Sequence, residues 1–199
     1  MKKNQALLAV VLAFVLLLGG AYVLYDKLSQ EVTPDQLAVQ DGAQAQEDGK
    51  SETGEDEAEK VLAPDFTVYD REGNEAHLSD YVGKPVVLNF WASWCGPCQS
   101  EMPDFDEVYG ELGEEIHFLM VNMTTSAPES FEKATAFIDE QGYSFPVFYD
   151  TDGDAAATYG VYSLPTTYFI DAEGYGIAQA TGTIDRETLE KGIGMITEQ

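Results

Sequence analysis

Two cysteines separated by two residues constrain this chain more than any other feature. Cys95 and Cys98 lie in the segment Trp-Cys-Gly-Pro-Cys at 94–98, and they are the only cysteines among the 199 residues. An apolar run at 85–91, which predicts a strand over 86–91, precedes them, and a helical pattern over 96–112 follows. Two thiols at such a strand-to-helix junction predict dithiol–disulfide exchange.

The position of each cysteine relative to the predicted helix gives the two thiols different roles. Cys95 precedes the helix, where free backbone N–H groups and a partial positive charge stabilise a thiolate and lower its pKa below the free value of about 8.5. Pro97 suits the first turn because no N–H is needed there. Cys98 lies one turn further on, where we expect burial. Cys95 is therefore predicted to attack a disulfide, and Cys98 to resolve the mixed disulfide.

Two other interpretations of the cysteine pair are weaker on physical grounds. A structural disulfide with a two-residue loop would restrict the unfolded chain little, because the stabilisation grows with loop length. A structural zinc site needs about four ligands, and the only histidines, His77 and His117, lack a metal-ligand spacing. We therefore predict neither a metal nor an organic cofactor.

The residues around the cysteines resemble the active-site signature of the thioredoxin superfamily. The segments 63–66, 78–81 and 98–103 narrow the resemblance to TlpA/ResA-like domains over roughly residues 61 to 199. The resemblance implies an α/β, thioredoxin-like fold, with a mixed central sheet, flanking helices, an N-terminal β-hairpin and a TlpA-type insertion near 128–159.

The run Leu-Pro-Thr-Thr at 164–167 resembles the cis-proline loop of the same superfamily. By itself Pro165 would be interpreted as an ordinary turn proline ahead of a strand, because X-Pro bonds are cis in only about 5% of cases. The resemblance implies instead that Leu164–Pro165 is cis and faces the cysteines. It also implies a substrate-binding surface formed by Trp94, Pro97, Leu164 and Pro165.

Glu101 is predicted to be the acid–base group of the site. It follows Cys98 by three residues and therefore shares its helical face, where burial would raise its pKa toward neutrality. The residues alone favour a solvated acid, because several other acids follow on and just after the same helix: Asp104, Asp106, Glu107, Glu111, Glu114 and Glu115. The resemblance reverses that preference. Thioredoxins carry a buried aspartate where this chain has Asn89, and TlpA/ResA-like proteins place a glutamate at the position of Glu101.

The amino-terminal segment predicts a membrane anchor over residues 1–28. After Lys2 and Lys3, an uncharged stretch of 20 residues runs from Ala6 to Tyr25, which spans about 30 Å as a helix and can cross a bilayer. The positive-inside rule then places the rest of the chain outside the cytoplasm. A cleaved signal peptide is the alternative, although its apolar core is usually shorter. We expect a single-pass protein of the cell membrane with an extracytoplasmic C-terminal domain.

Charge and composition separate a linker from a folded domain. Residues 29–60 are predicted to be an acidic, disordered linker, because 40–49 contains almost no apolar bulk and 52–59 is rich in acids. Residues 61–199 form the predicted domain and contain 25 acids and 5 Lys or Arg, a net charge of −20. This charge argues against nucleic-acid binding. It either favours basic partners or reflects saline or alkaline surroundings.

The resemblance implies a membrane-anchored thiol–disulfide oxidoreductase that works mainly as a reductant, because Gly-Pro between the cysteines is the dipeptide of reducing thioredoxins. Its substrates would be exported proteins with cysteine pairs, such as apocytochrome c, and its electrons would come from a CcdA-like membrane thiol carrier. We expect a monomer.

The alternative functions are disulfide formation or isomerisation, a redox-inactive binding module and a thiol peroxidase. The chain lacks the Pro-x-x-x-Thr-x-x-Cys pattern of peroxidases.

Overall fold

The computed structural model describes residues 37–39 and 60–197. The strands in these residues are β1 (Leu37–Val39), β2 (Val61–Leu62), β3 (Thr67–Tyr69), β4 (Glu75–His77), β5 (Val86–Trp91), β6 (His117–Asn122), β7 (Val147–Tyr149), β8 (Thr166–Ile170) and β9 (Tyr175–Thr181). The α-helices are α1 (Gly96–Leu112), α2 (Phe131–Gln141), α3 (Asp154–Thr158) and α4 (Arg186–Thr197), and a 3-10 helix covers Leu78–Tyr81.

These strands form one mixed sheet in the order β1-β9-β8-β5-β6-β7-β3-β4, with β2 also pairing with β9. The pairs β5–β6 and β6–β7 are parallel, whereas β5–β8, β8–β9 and β3–β4 are antiparallel. The predicted thioredoxin-like fold is confirmed, including the hairpin β3–β4 and the inserted α2, β7 and α3. Because the C-terminal end of β5 lies beside the N-terminal end of β8, the cysteines and Pro165 meet at one end of the sheet.

Two apolar layers cover the faces of the sheet. One layer contains Trp91 of β5 and buried residues of α1, α2 and α4, and the other contains Phe90 and buried residues of the hairpin and α3. The helix α4 approaches β8 very closely, since a Cβ built on Gly192 would lie 2.3 Å from the ring of Phe169. The central strand β5 is buried along its whole length, and the cysteine pair follows directly after it.

The predicted linker over 29–60 requires one correction. Leu37–Val39 form β1 and pair antiparallel with Ala178–Ala180 of β9, because the outer edge of β9 presents backbone N–H and C=O groups that need partners. The rest of that stretch apart from Lys60, and the predicted anchor at 1–28, lie outside the described residues. Within the residues that are described, none of the helices has the length and apolar character to cross a membrane.

Candidate active site

Cys95 and Cys98 lie where β5 ends and α1 begins, and a disulfide of 2.10 Å joins their sulfur atoms. Cys95 is the N-cap residue of α1, and its Sγ accepts a hydrogen bond from the backbone N–H of Cys98 at 3.2 Å. In the reduced protein this N–H and the helix N-terminus favour a thiolate on Cys95. Cys98 is fully buried, whereas 4% of Cys95 stays exposed, so the difference in access fits an attacking Cys95 and a resolving Cys98.

The carboxyl group of Glu101 is buried one helical turn beyond Cys98. Only 1% of Glu101 is exposed. Its Oε1 accepts a hydrogen bond from Asn89 Nδ2 at 2.9 Å, and its Oε2 accepts one from the backbone N–H of Ile184 at 3.0 Å. Burial raises the pKa of Glu101 to about 7, and the two hydrogen bonds oppose that rise. A carboxyl group with this pKa can both accept and release a proton near neutral pH.

Burial distinguishes Glu101 from the other acids of α1. It is the one acidic residue of this helix whose side chain is buried, while its neighbours Asp104 and Glu107 are partly or fully exposed. The interpretation of Glu101 as one more solvated acid is therefore wrong. The helix is amphipathic here, and Glu101 lies on the face that packs against the sheet together with Cys98 and Phe105.

Asn89 of β5 replaces the carboxylate that thioredoxins carry in the same strand. Its Nδ2 donates to Glu101 Oε1 and also to Thr167 Oγ1, at 2.9 Å each. Its Oδ1 has no hydrogen-bond partner among the described residues. Because an amide does not titrate, Glu101 is the one carboxyl group in this buried network.

The segment Gly182–Ile184 after β9 connects the separate parts of the site. Gly182 N–H donates to the carbonyl of Pro165 at 2.9 Å, and Thr183 Oγ1 donates to the carbonyl of Pro97 at 3.1 Å. Ile184 N–H binds Glu101. The Leu164–Pro165 peptide bond is cis, as the resemblance implied. One short segment thus holds the cis-proline loop, the start of α1 and the acid–base candidate together.

A groove of about 390 Å³ lies beside Cys95. Three of the predicted substrate-binding residues line it: Trp94, Pro97 and Leu164. Pro165 is buried and does not line the groove. Met123 and Tyr162 also line it, and the sequence did not indicate either of them, because nothing local relates them to the cysteines.

A second buried carboxylate, that of Glu129, supports the loop before Cys95. Its Oε1 accepts hydrogen bonds from Ser93 Oγ at 2.9 Å and from Ser130 N–H at 3.1 Å. Its Oε2 accepts from Ser93 N–H and from Asn122 Nδ2. Sequence reasoning missed Glu129 because Ser93 lies 36 residues away along the chain. Its role is to position the loop that carries Trp94.

Comparisons with known proteins agree with this geometry. The model of the AhpC/TSA family matches residues 60–175. The chain is 35% identical over 200 residues to the thiol-disulfide oxidoreductase ResA of Bacillus thuringiensis subsp. konkukian (strain 97-27). This match covers 99% of each chain.

Two solved structures are similar in fold and in sequence. StoA from Bacillus subtilis matches with a TM-score of 0.58 and 25% identity, over 67% of this chain and 98% of that chain. The pneumococcal exposed lipoprotein thioredoxin Etrx1 from Streptococcus pneumoniae strain TIGR4 matches with a TM-score of 0.56 and 37% identity, over 64% of this chain and 96% of that chain.

Proposed function

The chain belongs to the ResA/TlpA-like family of thiol-disulfide oxidoreductases, and we propose that it is a membrane-anchored, extracytoplasmic reductase of disulfides in exported proteins such as apocytochrome c. The observation that carries the proposal is the buried Glu101 carboxyl group, whose pKa is raised to about 7, on the helical face of the resolving Cys98. Such a group suits the deprotonation of a buried thiol at neutral pH.

The first step is attack by the Cys95 thiolate on one sulfur of the substrate disulfide. A bond forms between Cys95 Sγ and that sulfur, and the substrate S–S bond breaks. The second substrate sulfur leaves as a thiolate and takes a proton from solvent. The N-cap position of Cys95 favours this step, because the N–H of Cys98 and the helix terminus stabilise the thiolate before it attacks.

The second step resolves the mixed disulfide. The Cys98 thiol gives its proton to the Glu101 carboxylate, and Cys98 Sγ attacks Cys95 Sγ. The first substrate sulfur leaves as a thiolate and is protonated. Two electrons have then passed to the substrate, and the Cys95–Cys98 disulfide is the oxidised product. Because Cys98 and Glu101 are both buried, a carboxylate is a better base for this thiol than bulk water.

The proposed cycle needs a dithiol donor that reduces Cys95–Cys98 again. A CcdA-like thiol carrier in the same membrane would supply these electrons, and the apolar stretch from Ala6 to Tyr25 would hold the domain near it. The reducing direction is supported by the Gly-Pro dipeptide at 96–97, which the reducing thioredoxins share.

A turnover assay tests the proposal. The reduced protein is mixed with an oxidised peptide that contains the Cys-x-x-Cys-His segment of haem attachment, and new peptide thiols are counted by mass spectrometry. We expect reduction by the native protein, none by Cys95→Ser, and a trapped mixed disulfide with Cys98→Ser. Net oxidation of the dithiol peptide by the disulfide form, or faster consumption of hydrogen peroxide than of the peptide, would contradict the proposal.

A further inference from the structure

Tyr162 is the most exposed large hydrophobic side chain of the described residues, with 99% of its surface accessible. Trp94 is 47% exposed, and both residues line the groove beside Cys95. Most other aromatic rings of the domain pack against one another, but the ring contacts between described residues include neither Tyr162 nor Trp94. Exposed aromatic surface of this kind is typical of a surface that is covered by a partner.

The charge around the groove is unlike that of the rest of the domain. All its lining residues come from the stretches 85–100, 118–128 and 155–170, and these stretches contain no Asp, Glu, Lys or Arg. The 25 acids of residues 61–199 all lie outside them. The lining of the groove is therefore uncharged, in a domain whose net charge is −20. A complementary partner is apolar where it enters the groove and basic where it extends beyond it.

The backbone beside the groove can hold an extended chain. Leu164 forms the cis peptide bond with Pro165, and its N–H and C=O have no hydrogen-bond partner within residues 60–197. Free backbone groups at the rim of a groove recognise an extended peptide, while side-chain pockets give the specificity. The volume of about 390 Å³ lies near the lower end of ligand pockets, about 300–1,000 Å³. It suits one or two side chains of a peptide rather than a folded surface.

We propose that Tyr162 determines substrate specificity: with Trp94 it binds an apolar side chain adjacent to the attacked cysteine, in an extended substrate segment that carries Lys or Arg further out. This inference rests on the proposed function and names its substrate class. Tyr162 touches the substrate and takes no part in the exchange of sulfur bonds, so its effect is on the choice of substrate.

Three oxidised peptides that share one Cys-x-x-Cys disulfide test the inference. The first has Leu beside the first cysteine and Lys residues further out. The second replaces Leu with Ser, and the third replaces the Lys residues with Glu. The second-order rate of reduction by the full-length reduced protein is measured in detergent, at low and at high salt.

We expect the Leu peptide to be reduced about tenfold faster than the Ser peptide, because a site for one apolar group discriminates by about 10–200-fold and the exposed Trp94 and Tyr162 favour the lower end of this range. We expect the Lys peptide to react several-fold faster than the Glu peptide, and this ratio to approach one at high salt. Tyr162→Ser should reduce the Leu-to-Ser ratio to near one. Val82→Ser, which changes an exposed apolar side chain outside the groove, should leave that ratio unchanged.

The inference and the proposed function fail in different ways. If the native protein reduces all three peptides at equal rates, or if Tyr162→Ser keeps the native Leu-to-Ser ratio, the inference is wrong and the reductase function stands. If no peptide is reduced, the proposed function itself is wrong. A dimer in sedimentation experiments that Tyr162→Ser abolishes would assign the groove to a second copy of this chain, and would also overturn the inference.

Discussion

The side-chain nitrogen of Asn89 lies 2.9 Å from Oε1 of Glu101, at a position where both residues are buried. The amide donates a hydrogen bond that favours the ionised carboxyl group, while burial favours the protonated one. The proton affinity of Glu101 is the balance of these two effects and of the bond from Ile184. The contribution of Asn89 comes from a side chain and can be removed by mutation, whereas that of Ile184 comes from its backbone N–H.

Replacement of the carboxyl group tests its part in the chemistry. Glu101→Gln should slow resolution of the mixed disulfide by about 100-fold, since a positioned general base contributes about 10²–10⁴-fold. Because the pKa of Glu101 is raised to about 7, we expect a step near pH 7 in the rate profile of the native protein and none in that of Glu101→Gln. Stopped-flow measurement from pH 5.5 to 8.5 checks both effects. Asp104→Asn changes a partly exposed acid on the same helix and is the matched control. A native profile in Glu101→Gln would exclude the proposed role.

Removal of the amide donor should change the pH profile in a predictable direction. Asn89→Leu keeps the size of the side chain and loses the hydrogen bond that lowers the pKa of Glu101. The pKa of Glu101 should therefore rise further, and the midpoint of the rate profile should move to higher pH. A carbon NMR titration of the Glu101 carboxyl group measures this directly. Thr167→Val leaves the Asn89–Glu101 contact in place and serves as control. A midpoint that does not move, or that falls, would contradict this account of the site.

Glu101 also makes stability depend on pH. The pKa in the folded protein, about 7, lies above the unfolded value of 4.5, so the folded state binds this proton more tightly. Its contribution to stability is present below about pH 4.5 and is lost as the pH rises to about 7. The loss is about 3 kcal/mol, at about 1.36 kcal/mol for each pKa unit.

Urea unfolding of the oxidised protein at pH 5 and pH 8 checks this linkage. The decrease in the free energy of unfolding between these pH values should be about 2.5 kcal/mol larger for the native protein than for Glu101→Gln, because at pH 5 part of the contribution is already lost. The comparison cancels the contributions of the other acids. Equal decreases in the two proteins would show that Glu101 titrates at an ordinary pKa.

Glu129 should stabilise the loop before the cysteines. Glu129→Ala removes the acceptor for Ser93 and Asn122, and buried donors without a partner cost about 1–3 kcal/mol. We expect a loss of stability of this size and faster hydrogen exchange at the Ser93 amide, measured with the disulfide intact. Glu140→Ala, at an exposed position of α2, is the control. Unchanged exchange at Ser93 would refute the positioning role.

Local signals predicted most of the fold. The bounds of β5 and α1 agree with the prediction, because a buried apolar run, the N-cap cysteine and Pro97 all lie within a short segment. Within the insertion predicted near 128–159, the helix α2 begins at Phe131, since Ser130 accepts a hydrogen bond from Lys133 N–H and caps it.

The parts that the sequence did not predict depend on distant contacts. The strand β1 exists only through pairing with β9, about 140 residues further along the chain. Glu101 was predicted from its spacing to Cys98 and from the resemblance, whereas its bond from Ile184 spans 83 residues. Tyr162 was not predicted as a site residue either, because the sequence does not show whether a single aromatic side chain is buried or exposed in the folded protein.

The reduction potential of the Cys95–Cys98 pair tests most directly the claim that this oxidoreductase works as a reductant. The purified protein is equilibrated in dithiothreitol or glutathione buffers, and the fluorescence of Trp91 and Trp94 reports the redox state. We predict a potential near or below about −250 mV, close to the −270 mV or so of thioredoxin. A potential near about −120 mV, the value of a strong disulfide donor, would contradict the account and indicate an oxidase of exported proteins.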